Sequence, residues 1–214
     1  YDPPTHRGGG LVIVAVCLAG YAVYTGIVSD NFSYGYFAGA VLIAVVSWFD
    51  DLKSVPSPLR FLVHTTAAVL AIWDTGFWQA ITFPAFGTLE LGFAGAVITF
   101  FWIVWLTNAY NFMDGIDGIA GMQALTAGLG WLAGGWFFGF QTTAVFGGIL
   151  AFSALGFLYH NWQPAKIFMG DVGSAFFGYT FAAMPLLIEN ESERQSPVLF
   201  TAAVIFLWLF VFDT

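Results

Sequence analysis

The chain has 214 residues, 59% of them hydrophobic and only 8% charged, with a mean hydropathy of +0.80. A soluble domain carries roughly 25% charged residues, so this composition cannot cover a water-facing surface and most of the surface must face lipid. Five basic residues against thirteen acidic ones, a net charge of −8 and no basic run exclude a nucleic-acid partner.

Apolar runs fall at about 11–28, 36–49, 59–73, 93–106, 119–140, 143–159, 175–188 and 197–212. A helix crosses the hydrocarbon core with roughly 20 apolar residues, and unbroken runs favour helices over the alternating strands of a barrel. The pattern predicts an all-α fold, a polytopic transmembrane helix bundle of about eight spans. We read 1–214 as a single integral membrane catalytic domain. The chain opens on polar residues without Met and stops at Asp213-Thr214 just after an apolar run, so it is expected to be truncated at both ends. Cys17 is the lone cysteine and can form no internal disulfide. Pro84 and Gly87 mark a loop expected on the membrane surface.

If each run crosses once, the polar segments 1–10, 50–58, 107–118, 160–174 and the tail share one side. Arg7, Lys53, Arg60 and Lys166 border that side, and Arg194 falls opposite. The positive-inside rule makes the first side cytoplasmic.

Three segments on that side carry carboxylates beside apolar runs: Asp50-Asp51, then Asn108, Asn111, Asp114 and Asp117, then Asp171. Acids beside hydrocarbon cost free energy and mark function more often than not. Asn108, Asn111, Asp114 and Asp117 recur every third residue, which on a helix makes one oxygen-rich stripe. Helix N-terminal capping explains one of these acids but not four polar residues in register. Oxygen donors without a Cys or His set suit Mg²⁺ or Mn²⁺ rather than zinc. The side chains of Asp50 and Asp51 diverge by about 100° on a helix, so they need not share one role. Asp171 lies between Gly170 and Gly173 ahead of an apolar run, with Lys166 upstream, an arrangement that suits an anion. Gly8–Gly10 offers the same signal more weakly, since a packing turn explains it as well. For His64, inside the third run, a helix–helix hydrogen bond is the plain reading. Together these features point to phosphoryl chemistry at a membrane boundary, where a lipid phosphate and a nucleotide can meet.

Asp50-Asp51-Leu52-Lys53, the stretch from Asn108-Ala109-Tyr110-Asn111 through Asp114-Gly115-Ile116-Asp117-Gly118, and Pro164-Ala165-Lys166-Ile167-Phe168-Met169-Gly170-Asp171-Val172-Gly173-Ser174 resemble the signatures of the polyprenyl-phosphate N-acetylhexosamine-1-phosphate transferases. The wording is most similar to the bacterial O-antigen-initiating branch, the glycosyltransferase 4 group. The resemblance covers nearly the whole chain. It implies transfer of an N-acetylhexosamine-1-phosphate, GlcNAc or FucNAc type, from a UDP-sugar to undecaprenyl phosphate, with release of UMP, at the inner face of the bacterial inner membrane. It implies Mg²⁺, with Mn²⁺ as a substitute, and a homodimer as a plausible assembly. Asp50, Asp51, Asp114 and Asp117 would be catalytic, with Asp50 the base that deprotonates the lipid phosphate. Asp171 would bind the metal with Asn108 close by. Asn108, Asn111, Lys53, Lys166, Phe168 and Gly170 would contact substrate. It also implies a first family helix before Tyr1 and a His-rich cytoplasmic loop after Thr214. The alternatives are the phospho-MurNAc-pentapeptide translocase of the same family and, from another class, a cation-coupled transporter. Transporter sites lie near the bilayer midplane, whereas these acids cluster at span ends. A structural scaffold leaves the Asn/Asp stripe unexplained.

Overall fold

The computed structural model describes residues 6–83, 85–192 and 198–213. Expectations resting on Tyr1–Thr5, Pro84, Arg194, Pro197 and Thr214 lie outside these residues. The chain is an all-α membrane protein with small strand elements between helices. α1 (Gly9–Val23) continues as a π-helical turn over Tyr24–Val28, and is followed by α2 (Tyr34–Leu52) and α3 (Ser57–Thr75). After β2 (Ala80–Phe83) and β3 (Gly87–Glu90) come α4 (Ala94–Met113), α5 (Ile119–Phe138) and α6 (Gln141–Asn161). α7 (Gly170–Ser192), α8 (Val198–Phe206) and α9 (Trp208–Phe212) complete the order. β1 (His6–Arg7) pairs in parallel with β4 (Ile167–Phe168).

Among the described residues, each of the first seven apolar runs falls on a helix, the first ending in the π turn. Among the described residues, five helices are long and apolar enough to cross a membrane: α1 with its π turn, α2, α4, α6 and α7 as far as Ile188. α3 and α5 have the length, 19 and 20 residues, but Arg60, His64, Asp74 and the threonines of α3, and Gln123 and the glycines of α5, dilute the hydropathy. The last run is divided at Leu207 between α8 and α9. The segment between α3 and α4, read from the sequence as a surface loop, contains an antiparallel hairpin that pairs Ala80 with Glu90 and Phe83 with Gly87. Four-residue strands with only Ile81 buried are too short to show alternation.

The surface is the inverse of a soluble protein's. Val12, Ile27, Phe49, Phe61, Leu62, Trp73, Phe101, Phe137 and Phe152 are exposed, a distribution that suits hydrocarbon and not water. α7 is the central helix: 89% of its apolar window is buried, against 28% for α1. α4 reaches it closely at Gly178, where a Cβ would stand 2.8 Å from Tyr110 Cβ and 2.9 Å from the Leu106 carbonyl. Such small-residue contacts drive helix packing where hydrophobic burial contributes nothing. Tyr179 of α7 stacks on Tyr36 of α2 at 5.6 Å, and its hydroxyl donates to the carbonyls of Tyr36 and Ala67. The Tyr36 and Thr180 hydroxyls share a 3.0 Å hydrogen bond. These bonds fix the depth of α2, α3 and α7 relative to one another, because a buried polar group is costly without its partner.

Two helix starts are capped by acids from the ends of other helices. Asp74, near the end of α3, accepts the Gly35 N–H at 2.8 Å and the Ser33 hydroxyl at 2.5 Å, at the start of α2. Asp51, near the end of α2, does the same for α7. An acid at a helix C-terminus is unfavourable within its own helix dipole but favourable at a neighbour's N-terminus, and both residues use that exchange.

Candidate active site

The end of α2 separates its two acids. Asp50 Oδ1 accepts the Val55 N–H at 2.6 Å and Oδ2 accepts Arg60 Nη1 at 2.9 Å, so this carboxylate closes the α2–α3 turn. Asp51 points elsewhere. Its Oδ1 accepts the Asp171 N–H at 2.9 Å and its Oδ2 the Val172 N–H at 3.1 Å. Gly170 makes that approach possible: its φ is +76°, and a Cβ there would lie 2.6 Å from Asp51 Oδ2. Asp171 therefore stands in the first turn of α7, not in a loop ahead of the helix as the onset of the apolar run suggested. The capping carboxylate lets the helix begin at Gly170.

The Asn/Asp stripe is divided by the end of α4 at Met113. Asn108 is exposed; its amide donates to the Val104 carbonyl, and its Oδ1 shares a 3.1 Å hydrogen bond with His64 Nδ1 across α3 and α4. Asn111 Oδ1 accepts the Ser174 hydroxyl of α7 at 2.5 Å. Asp114 leaves the helix at ψ 53°, and Asp117 Oδ2 accepts the Ala165 N–H at 3.1 Å. Helical spacing carries Asn108 and Asn111, but the chain turns before Asp114 and Asp117.

These elements enclose a cavity of about 300 Å³, lined by Asp51, Asn111, Asp114, Gly115, Ile116, Asp117, Asn161, Phe168, Gly170 and Asp171. All three sequence motifs meet there. Asp50, Asn108, Lys53 and Lys166 do not line it, and both lysines are exposed. Two contributors are not singled out by the sequence. Asn161, 5% exposed, accepts the Gly118 N–H and donates to the Ile167 carbonyl, each at 2.8 Å, and so joins the second motif to the third. A polar side chain ending an apolar run was its only signal. Arg60 pairs with Asp50 at 2.9 Å and reaches Asp171 at 3.6 Å. In the sequence it registers only as a cytoplasmic-side charge.

The cavity is short of positive charge. Burial, then the negative charges of Asp171 and Asp51, push the Asp114 carboxyl up to about 7. Among the described residues no three of His, Cys, Asp or Glu converge as a metal cage. The donors present fit a hard cation held by one or two carboxylates, with waters and phosphate oxygens completing its shell. The cavity shares Ile116 and Asp117 with an apolar groove of about 710 Å³, which also includes Met122, Trp162, Ile205, Phe206 and Trp208.

The model of glycosyl transferase family 4 matches residues 33–189, a stretch containing every cavity residue. The chain belongs to glycosyl transferase family 4. It is 34% identical over 222 aligned positions to a "probable undecaprenyl-phosphate N-acetylglucosaminyl 1-phosphate transferase" of Bacillus subtilis, covering 100% of this chain and 59% of that protein. It is 34% identical over 235 positions to a decaprenyl-phosphate N-acetylglucosaminephosphotransferase of Mycobacterium tuberculosis, covering 95% and 58%. A phospho-N-acetylmuramoyl-pentapeptide-transferase of Picosynechococcus is 31% identical over 201 positions, covering 85% and 52%. The chain thus spans a little over half the length of these family 4 relatives.

Proposed function

We propose that this chain is the membrane-embedded core of an enzyme that transfers N-acetylhexosamine-1-phosphate, GlcNAc or FucNAc type, from a UDP-sugar to undecaprenyl phosphate. The reaction starts a lipopolysaccharide or other cell-envelope polysaccharide. A phosphate oxygen of the lipid bonds to the β-phosphorus of the UDP-sugar, the bridge to the α-phosphate breaks, and UMP leaves. The carrying observation is the junction at Asp117: a carboxylate-lined cavity suited to a nucleotide diphosphate shares Ile116 and Asp117 with an apolar groove suited to a prenyl chain. A transporter reading has no use for that junction. Relatives named for N-acetylglucosaminyl phosphate transfer favour that donor class over the muramoyl-pentapeptide one.

In this reading Asp171 and Asp51 hold Mg²⁺ or Mn²⁺, which when bound offsets diphosphate charge. Asn111, held by Ser174, and Asp117 orient the nucleotide and the entering phosphate. Asp114 has the proton affinity to accept a proton from the lipid phosphate near neutral pH. Phe168 and Gly170 shape the wall. The reading includes about eight crossings, because α3 and α5 also expose apolar side chains such as Phe61, Leu62, Leu129 and Trp136. It places the cavity at the cytoplasmic face of the bacterial inner membrane, beside Lys53, Arg60 and Lys166. A homodimer belongs to the same reading and is checked by the mass of the detergent-solubilised protein. The deciding assay gives full-length protein undecaprenyl phosphate, Mg²⁺ and, in turn, UDP-GlcNAc, UDP-N-acetylfucosamine and UDP-MurNAc-pentapeptide. UMP release with one of the first two is expected; no UMP with any donor overturns the proposal.

A further inference from the structure

Arg60, on the first turn of α3, stands between the end of α2 and the start of α7. Its Nη1 donates to Asp50 Oδ2 at 2.9 Å and lies 3.6 Å from Asp171 Oδ2, while Nη2 donates to Ser57 Oγ at 3.3 Å. The two partners differ. Asp50 keeps only 5% of its side chain exposed and is fixed a second time by the Val55 N–H, whereas the Asp171 side chain keeps 37%. The guanidinium therefore has one short, sheltered anchor and one longer, open contact. It cannot shed its proton in a protein, so the charge beside Asp171 is permanent. A divalent cation on the same carboxylate would repel it at short range.

We propose that Arg60 is a positioning residue, tethered by Asp50, that holds the Asp171 carboxylate in the cation-free cavity and yields it when a divalent cation binds. The inference rests on the cation reading of Asp171 given above. In it Asp50 acts by holding Arg60. Three features agree with this. Both Asp50 oxygens are occupied, Asp50 does not line the cavity, and its neighbour Asp51 does.

The test measures Mn²⁺ binding to the full-length protein in nanodiscs, without substrates, from the electron paramagnetic resonance signal of free Mn²⁺. Arg60→Gln is expected to tighten Mn²⁺ on the order of tenfold, because a competing charge is gone. Asp50→Asn is expected to weaken it, because the untethered guanidinium settles on Asp171. In the double variant the Asp50→Asn effect should vanish, leaving the affinity of Arg60→Gln within about twofold. Equal Asp50→Asn losses in both backgrounds would mean independent charges and overturn the proposal, as would weaker binding in Arg60→Gln. If Arg60→Gln does not fold, Arg60→Lys replaces it. The shorter side chain keeps Asp50 and loses Asp171, so Mn²⁺ should tighten, and unchanged or weaker binding overturns the proposal. No Mn²⁺ binding by the unmodified protein would instead defeat the cation reading itself, a result distinct from additivity among variants that do bind.

Discussion

Asp51 and Asp171 are joined backbone to side chain: the Asp171 N–H donates to Asp51 Oδ1 at 2.9 Å, so two like-charged residues are held together by a helix N-terminus. Removing the capping oxygens and removing the charge therefore have different effects. Asp51→Ala should cost about 1–2 kcal/mol of stability, seen as a lower thermal midpoint. Asp51→Asn keeps an acceptor and should cost less stability, yet should lose Mn²⁺ affinity as severely as the alanine variant. Equal stability losses would show that the cap depends on charge alone.

The Asp114 carboxyl gives the site a pH dependence. Its folded value of about 7 lies above the ordinary carboxylate value of 3.8, so its protonated form favours the folded state. That contribution is complete below pH 3.8 and is lost as pH rises to about 7. Thermal midpoints of the cation-free protein should fall over this range by more than those of Asp114→Asn. UMP release should rise with pH through the same region, with the midpoint drawn lower by bound cation. A rate profile of the same shape in Asp114→Asn would remove Asp114 from proton transfer.

Gly170 tolerates no side chain. Gly170→Ala combines a strained positive φ with a methyl group against the Asp51 carboxylate, and should cost about 1 kcal/mol or more. UMP release should fall at least about tenfold, since small displacements of reacting groups are that costly. Gly156→Ala on α6, where a Cβ meets open space, is the control and should behave as the unmodified protein.

Asn161 predicts a graded series. Asn161→Leu leaves the Gly118 N–H and the Ile167 carbonyl without partners, at about 1–3 kcal/mol for each buried group. Asn161→Asp keeps the acceptor for Gly118 and loses only the donor, so it should melt between the two. Hydrogen exchange at Gly118 reads the same order directly, fast in the leucine variant and protected in the aspartate one.

How much of this was legible in the sequence depended on the range of the interaction. The first seven apolar runs each mark a helix because hydrophobic length is a local property. The 100° divergence of adjacent helical residues foretold that Asp50 and Asp51 could part, and the reading of His64 as a helix–helix hydrogen bond matches its pairing with Asn108. The periodic stripe failed at its ends. Asn108 turns to His64 because α3 packs there, and α4 stops before Asp114, neither of which spacing can reveal. Arg60 was seen only as a charge for orientation, because its partners come from helices on both sides of it in sequence. The start of α7 was misplaced for the same reason: the residue that caps it lies 120 positions earlier.

That separation has a bearing on biosynthesis. As the polypeptide leaves the ribosome, Asp51 is made long before the amides it will cap, so its carboxylate has to wait in water at the membrane face while four further helices are threaded. The cavity cannot exist in a partly inserted chain. Its closing waits for the first turn of α7, whose amides Asp51 caps.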